Sequence, residues 1–282
     1  MIVGSGNAVV NRVIAAYLPI GSIASLAYAE KLVQIPSLIF SGSVITALYP
    51  FFADHAADKQ IEEAKNTFAL SIRMSGFIFI PLAVSMIILS KPVIQVVFER
   101  GAFGSAAPDI ISKIFICYAF QIFISYAVAI MVWLLAALQD FSSILKVSVI
   151  GFVLNILLNL FLVNVVEPPV AGIAISSSIG CFVQTVLYFW YLKKKIANVH
   201  GILIVKSLSK ILAIALISGI VIREAHGILV NMMSCSLLGQ ITNITVSTLS
   251  GAAVFLGIAL LTKLEEAEKV FNLVKNKLHS NL

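Results

Sequence analysis

Eight long apolar stretches dominate this sequence and restrict its fold more than any other feature. The hydrocarbon core of a bilayer is about 30 Å thick, and a helix needs about 20 apolar residues to cross it. Windows of this kind lie at approximately residues 2–21, 25–52, 66–90, 110–138, 143–164, 170–192, 206–224 and 240–262. The sequence therefore predicts an all-α polytopic membrane protein with about eight transmembrane helices.

The composition excludes several other classes of protein. Of the 282 residues, 60% are hydrophobic and 11% are charged, whereas a soluble domain carries about 25% charged residues. A soluble globular protein, a disordered chain and a nucleic-acid-binding protein are therefore excluded. The formal net charge of +6 is better explained by membrane topology than by binding to polyanions.

The distribution of lysine and arginine predicts the orientation in the membrane. Eight spans place both termini on one side, which carries Lys59, Lys65, Arg73, Lys146, Lys193, Lys194, Lys195, Lys206, Lys210, Lys263, Lys269, Lys275 and Lys277. The opposite side carries only Lys91, Arg100, Lys113 and Arg223. Because positive charges concentrate in cytoplasmic loops, both termini are predicted to be cytoplasmic.

Two segments outside the spans are predicted to lie on the membrane surface. Residues 91–109 form the longest outer loop, in which a short apolar run between Pro92 and Gly101 predicts a surface or re-entrant helix. Residues 263–282 predict a cytoplasmic amphipathic tail that lies in the membrane interface. A partner-binding helix is the alternative for the tail. Its apolar face consists of Leu264, Ala267, Phe271, Val274 and Leu278.

The chain carries no catalytic or metal-binding signature. There is no P-loop, no His-Glu-x-x-His and no Cys-x-x-Cys, and Gly4-Ser5-Gly6 lacks the third glycine of a dinucleotide-binding turn. The histidines lie in loops or in the tail, without a metal-ligand neighbour at helical spacing. We therefore expect neither an enzyme nor a bound cofactor or metal.

Charged residues within the apolar windows are the strongest candidates for function. A charge at mid-membrane costs at least about 2.5–3.5 kcal/mol, so it usually faces water or a partner. Arg12 lies near the middle of the first window, and Glu30 and Lys31 lie in the second. Tyr28, Lys31 and Gln34 fall along one side of a helix, so Lys31 is expected to face a polar cavity. Glu30 belongs to the same candidate group.

Each of these cations also has a structural interpretation. Lys31 could extend its ammonium group to the outer interface instead of into a cavity. Arg12 could pair with a neighbouring helix, which we consider the more frequent situation for such a residue.

A second pattern is polar but uncharged. Gly151, Asn155 and Asn159 recur every four residues on one helical face, and Gly172, Ser176 and Gly180 do the same on the next span. Asparagine in a membrane helix seeks a hydrogen bond to another helix, and small residues allow helices to approach closely. The pattern predicts helix–helix packing first and a cavity lining second.

Loops next to the spans contain charged residues beside glycines or turns. They are Glu99-Arg100-Gly101 on the outer side and Gln139-Asp140 with the following Lys146 on the inner side. On physical grounds these are caps and turns.

Several of these segments, in this order, resemble motifs of one family. They are Asn11-Arg12-Val13-Ile14-Ala15-Ala16 with Gly21-Ser22-Ile23, Ala27-Tyr28-Ala29-Glu30-Lys31-Leu32 with Pro36, Phe98-Glu99-Arg100-Gly101-Ala102-Phe103, and Gln139-Asp140 with Lys146, Asn155 and Asn159-Leu160. The series resembles the MurJ (MviN) lipid II flippases, which belong to the multidrug/oligosaccharidyl-lipid/polysaccharide exporter superfamily. The resemblance covers the first two thirds of the chain, whereas the last two spans match only in hydropathy.

The resemblance implies a particular fold and division of the chain. Its first span resembles the seventh of fourteen family helices, so the chain would be the C-terminal portion, helices seven to fourteen. Residues 1–192 would form the six-span second bundle, residues 193–262 two additional spans, and residues 263–282 the tail. The first six helices of the family, which carry most of its essential arginines, would be absent or supplied by a separate polypeptide.

The chain departs from the family pattern at three places, one of which is Ser142-Ser143-Ile144 in place of the family's Thr-x-Thr-Pro turn. Asn11 stands where an aspartate is common, and Lys31 stands where the family usually has an arginine implicated in function. Lysine keeps the positive charge but cannot form the bidentate hydrogen bonds that a guanidinium forms with pyrophosphate. The resemblance also implies structural or gating roles for the loop motifs and for Asn155 and Asn159.

The function implied by the resemblance is a flippase of the bacterial inner membrane. It would carry undecaprenyl-pyrophosphate-linked disaccharide-pentapeptide to the outer leaflet by alternating access, with membrane lipids and the lipid-linked saccharide as its partners. The alternatives are a polysaccharide-unit or multidrug exporter of the same superfamily, an inactive truncated remnant, and a polytopic glycosyltransferase, which the short outer loops disfavour.

Overall fold

The computed structural model describes residues 2–40, 51–52, 54, 60–98, 107–232 and 236–279, and these consist of helices and their connections. The helices in these ranges are α1 Ile2–Ala16, α2 Ser22–Phe40, α3 Ile61–Ile88, α4 Ser90–Phe98, α5 Ala107–Ala137, α6 Phe141–Leu162, α7 Pro169–Ile196, α8 Gly201–Met232, α9 Leu237–Leu261 and α10 Glu265–His279. The prediction of an all-α fold is confirmed.

Six of the described helices are long and apolar enough to cross a membrane. They are α3, the Pro108–Ala137 part of α5, α6, α7, α8 and α9. These helices coincide with the last six predicted windows, so the chain is a multi-pass membrane protein.

The first two windows are helical but differ from the prediction. α1 ends at Ala16, shortly before Pro19, which disfavours helical geometry in the residue before it. Gly21 then takes a left-handed φ of 95° in the turn to α2. The 15 described residues of α1 span about 22 Å. α2 reaches Phe40, and its window continues into residues 41–50, outside the described ranges.

α5 is the central helix of the bundle, and it packs against α2, α3, α4 and α7. One apolar cluster joins α3, α5 and α7 through residues such as Phe68, Leu134 and Tyr188. A second cluster joins α2, α5 and α7, with Ala29, Ile114 and Ile173 fully buried. α6 packs along α7, and α1 packs along α6.

The hairpin α8–α9 packs against α3. Its interface contains the buried residues Asn243, Ser247 and Gly251, spaced by four along α9. Asn243 Oδ1 accepts a hydrogen bond from Ser247 Oγ at 3.0 Å and lies 2.9 Å from His226 Nδ1 on α8. A Cβ on Gly251 would overlap the Ile222 side chain. The sequence analysis identified this kind of interface on α6 and α7 but missed it here.

The predicted surface helix of the outer loop is present as α4. It has nine residues, includes Pro92 in its first turn, and buries Ile94 completely against the second apolar cluster. Lys91 pairs with Asp109 at 2.9 Å and so links the start of α4 to the start of α5. Gly101 lies outside the described residues.

The start of the C-terminal tail is docked on the protein by a buried ion-pair cluster. Arg73 Nε on α3 donates to Glu266 Oε1 at 2.5 Å, and its Nη2 donates to Glu265 Oε2 at 2.6 Å. Ser207 on α8 also donates to Glu266 Oε1, at 2.6 Å. Leu264 and Ala267 are buried beside these groups. The first turn of α10 therefore joins α3 to α8.

The expected apolar face of the tail is thus divided. Leu264 and Ala267 pack on the protein, whereas Phe271 is exposed. The side chains of Val274 and Leu278 lie outside the described part. An interfacial position for the later turns of the tail stays a prediction.

Glu266 is held in its charged form by its partners. Burial raises the pKa of Glu266, but hydrogen bonds from Ser207 and Arg73 lower it, and the net result is a lowered pKa. For Glu265 the hydrogen bond from Arg73 is the main cause of a lowered pKa. The cluster therefore stabilises the folded state fully at pH values above the ordinary carboxyl pKa. This stabilisation is lost as the pH falls through the lowered pKa values of the folded state.

We predict that Glu266→Gln destabilises the detergent-solubilised chain strongly. Breaking one partner of a buried pair costs about 3–5 kcal/mol, and Glu265 still neutralises part of the Arg73 charge, so a loss near the lower limit is expected at neutral pH. The exposed Glu268→Gln is the matched control. Thermal unfolding followed by size-exclusion chromatography measures both, and equal unfolding temperatures would contradict the role given to Glu266.

Candidate functional site

Two adjoining cavities lie between the α1–α2 pair and helices α5, α6 and α7. Their volumes are about 260 Å³ and about 230 Å³. Glu30, Tyr118 and Gln121 line both, and we call the two together the polar cavity. Its polar lining consists of Asn7, Asn11, Arg12, Glu30, Gln34, Tyr118, Gln121, Ser125, Tyr126, Asn155, Ser177 and Gln184.

Three of the predicted candidates, Arg12, Glu30 and Gln34, line this cavity. Gln34 Nε2 donates to Glu30 Oε1 at 3.2 Å, one turn away on α2. Arg12 is exposed and forms no ion pair with any residue in the described ranges. The structure therefore does not show the interhelical pair that was one interpretation of Arg12.

Lys31 and Tyr28 are placed differently from the expectation. Neither lines the polar cavity, Lys31 is exposed, and the Tyr28 ring packs against Phe98 of α4 with centroids 4.7 Å apart. Successive helical residues are rotated by about 100°, so Lys31 points away from the direction of Glu30. The side of α2 that faces the cavity is the Glu30–Gln34 side.

Asn11, Asn155, Asn159 and Ser177 form a hydrogen-bonded junction of α1, α6 and α7. Asn159 Nδ2 donates to Asn11 Oδ1 at 2.8 Å and to Asn155 Oδ1 at 3.1 Å. Asn11 Nδ2 donates to Ser177 Oγ at 3.1 Å, and Asn155 Nδ2 lies 3.4 Å from the same oxygen. We call this group the asparagine junction. It agrees with the predicted helix–helix role of Asn155 and Asn159, and Asn11 and Asn155 also line the cavity.

The glycines of α6 and α7 allow the two helices to approach closely. A Cβ on Gly172 would lie 2.7 Å from the carbonyl carbon and oxygen of Leu162. A Cβ on Gly180 would lie 3.8 Å from the nearest atom, the carbonyl oxygen of Gly151. A Cβ on Gly151 would overlap the Gln184 side chain, and the main-chain contact is tightest at Gly172, near the end of α6.

Asp140 caps the start of α6 at the other end of these helices. Its carboxylate accepts hydrogen bonds from Ser143 N at 3.1 Å and Ser143 Oγ at 2.9 Å, and it pairs with Lys195 of α7 at 3.0 Å. Burial raises the pKa of Asp140, but the Ser143 and Lys195 contacts lower it, and the net result is a lowered pKa. Lys146 is exposed. Glu99, Arg100 and Gly101 lie outside the described residues.

Several residues of the cavity were not among the candidates predicted from the sequence. Gln121, Gln184 and Asn7 are isolated polar residues in apolar segments, and their carboxamides line the larger cavity. The signal was present, because a lone glutamine in a membrane helix needs a polar neighbour. The spacing of these three residues along the chain, however, does not form a helical pattern that marks them as neighbours.

Comparisons with known proteins agree on one family. The family model "Lipid II flippase MurJ" matches residues 3–243. The "Probable lipid II flippase MurJ" of Bdellovibrio bacteriovorus is 24% identical over 266 residues, which are 94% of this chain and 50% of that protein. The protein of the same description from Rickettsia prowazekii is 25% identical over 244 residues, 86% of this chain and 48% of that protein.

Solved structures show a similar fold. "Lipid II flippase MurJ, inward closed conformation" has a TM-score of 0.71 at 23% identity, over 92% of this chain and 52% of that one. A MOP superfamily transporter from Pyrococcus furiosus has a TM-score of 0.51 at 16% identity, over 95% of this chain and 64% of that one. The chain spans about half the length of the curated relatives named above.

We predict that Asn159→Leu destabilises the bundle. The substitution removes the donor to both Asn11 and Asn155 at a fully buried position, and leaving buried acceptors without a partner costs about 1–3 kcal/mol. Asn164→Leu, at an exposed position near the end of α6, is the control. Thermal unfolding of both variants in detergent is the measurement, and an Asn159→Leu chain as stable as the control would show that the junction is not a structural element.

We predict opposite responses to alanine at the two α7 glycines. Gly172→Ala forces the Leu162 backbone to move and lowers stability, because both clashing groups are main chain. Gly180→Ala has room, and it gains up to about 1 kcal/mol of helix propensity. The same unfolding assay compares them, and a Gly172→Ala chain at least as stable as Gly180→Ala would refute the close contact.

Proposed function

This chain belongs to the lipid II flippase MurJ family, and we propose that it forms one bundle of a flippase for undecaprenyl-pyrophosphate disaccharide-pentapeptide. The chain is a multi-pass protein of the inner membrane. The observation that carries the proposal is the polar cavity within an otherwise apolar bundle, with Arg12 and Glu30 on its wall. A sugar–peptide headgroup cannot cross hydrocarbon without such a polar path, whereas its lipid tail can remain in the bilayer.

We propose that transport proceeds by alternating access. In transporters of this kind, two bundles move against each other around a site near the midplane. No covalent bond is made or broken, so the proposed activity is transport and not catalysis. In the proposed orientation both termini are cytoplasmic, which follows from the lysine and arginine distribution.

We further propose that six other helices, equivalent to the N-terminal portion of the relatives, complete the cavity. The support is that the chain spans about half the length of its curated relatives. Helices α1 and α2 line the cavity on one side and α5, α6 and α7 on the other, so a second bundle would close it.

A polysaccharide-unit or drug exporter of the same superfamily is the competing function. The similarity to the Pyrococcus furiosus transporter supports it at the level of the fold. An inactive remnant is the remaining alternative. Rescue of peptidoglycan synthesis separates the flippase from both.

We predict that a MurJ-depleted bacterium grows when this chain is expressed together with a six-helix N-terminal portion of a relative. Growth with the chain alone would contradict the need for the other six helices. Absence of growth in both cases, with the two parts present in the membrane and purifying together, would contradict the flippase function.

Arg12 and Lys31 give different expected results in that assay. Arg12→Gln removes the cation that lines the polar cavity and is expected to abolish growth. Lys31→Ala removes a cation outside the cavity and is expected to preserve it, as is the control Lys113→Ala on the exposed side of α5. Loss of growth with Lys31→Ala alone would restore the role that the family resemblance implies for this position.

A further inference from the structure

We propose that the polar cavity of this chain binds the uncharged, N-acetylated saccharide of the headgroup and not its pyrophosphate. The inference rests on the proposed function and assigns one part of the substrate to this bundle.

The charges on the cavity wall are balanced. Among the described residues that line it, Arg12 and Glu30 are the charged ones, and they have opposite signs. A pyrophosphate carries at least two negative charges and needs several cations to offset its loss of water. Here it would meet one exposed guanidinium and a carboxylate on the same wall, and like charges placed together cost several kcal/mol.

Carboxamides form most of the polar surface that remains. The asparagine junction uses Asn11 and Asn155, and Gln34 is bonded to Glu30. Asn7, Gln121 and Gln184 are not part of these bonds, and the buried oxygens Asn7 Oδ1 and Gln121 Oε1 have no hydrogen-bond partner among the described residues. The cavity therefore holds unused hydrogen-bonding capacity that is neutral.

This chemistry matches an N-acetylated sugar. A carboxamide offers both a donor and an acceptor, and so do an acetamido group and a sugar hydroxyl. Tyr118 and Tyr126 line the smaller cavity, and Tyr126 stacks on Phe79 with centroids 3.8 Å apart. Fixed aromatic rings supply apolar faces against which the C–H face of a pyranose can pack.

The size of the cavity also suits a saccharide. The two adjoining parts, about 260 Å³ and 230 Å³, together fall in the range of about 300–1,000 Å³ that is typical of small-molecule sites. A disaccharide that occupied both parts would pass Glu30, Tyr118 and Gln121, which line each of them.

The experiment measures binding of small probes to the full chain in lipid nanodiscs. The probes are N,N′-diacetylchitobiose, cellobiose and inorganic pyrophosphate, and saturation-transfer NMR with competition gives their relative affinities. We expect diacetylchitobiose to bind more tightly than cellobiose, which has hydroxyls in place of the acetamido groups, and we expect pyrophosphate not to compete.

Three variants and one control test the residues. Gln121→Leu is expected to weaken diacetylchitobiose binding about tenfold, which corresponds to the loss of one hydrogen bond. If the Gln121→Leu chain does not fold, Gln184→Leu is used in its place. Gln240→Leu, exposed on α9, is expected to change nothing. Glu30→Gln leaves the charge of Arg12 unbalanced and is expected to create measurable pyrophosphate binding.

Three results would overturn the inference. The first is that pyrophosphate binds more tightly than diacetylchitobiose. The second is that the two disaccharides bind equally well or that neither binds. The third is that both glutamine variants keep the affinity of the unmodified chain for diacetylchitobiose. Failure of growth rescue with retained diacetylchitobiose binding would overturn the flippase function and leave this inference standing. Growth rescue without diacetylchitobiose binding would overturn this inference and leave the flippase function standing.

Discussion

The absence of water from the bilayer core is the constraint on which this structure depends. A polar group in hydrocarbon must find its partner within the protein, and the chain meets this condition where its helices touch. The asparagine junction joins α1, α6 and α7 by short hydrogen bonds, and Asn243, Ser247 and His226 join α8 to α9. In both places a glycine lies on the same helical face, one or two turns away, and lets the helices approach.

The same constraint explains why the polar cavity stands out. Its walls hold side chains that the surrounding bundle does not fully satisfy, and they lie together between two groups of helices. Groups without partners are costly in this environment, so their concentration in one place is more informative than any single residue. The charges of its described lining residues also balance, which distinguishes the chemistry of this wall from that expected of a site for a polyanion.

Much of the fold could be predicted from the sequence, because hydrophobic length determines a membrane span almost directly. The six spans, the surface helix at Pro92, and the packing of Asn155 and Asn159 followed from local patterns. The end of α1 at Ala16 was missed because the apolar run continues through Pro19. The direction of Lys31 could not be predicted, because it depends on which face of α2 meets α5. The asparagine partner Asn11 and the lone glutamines became visible only when distant segments were brought together.

The cluster around Arg73 ties the completion of this bundle to the order of its synthesis. Arg73 and Glu266 are separated by 193 residues, and a ribosome needs about 10–40 seconds to make that length at 5–20 residues per second. During this interval α3 is already available for insertion while its guanidinium has no carboxylate to meet. Glu266 is therefore made well after Arg73, and the contacts of α10 with α3 and α8 form only once the start of the tail has been translated.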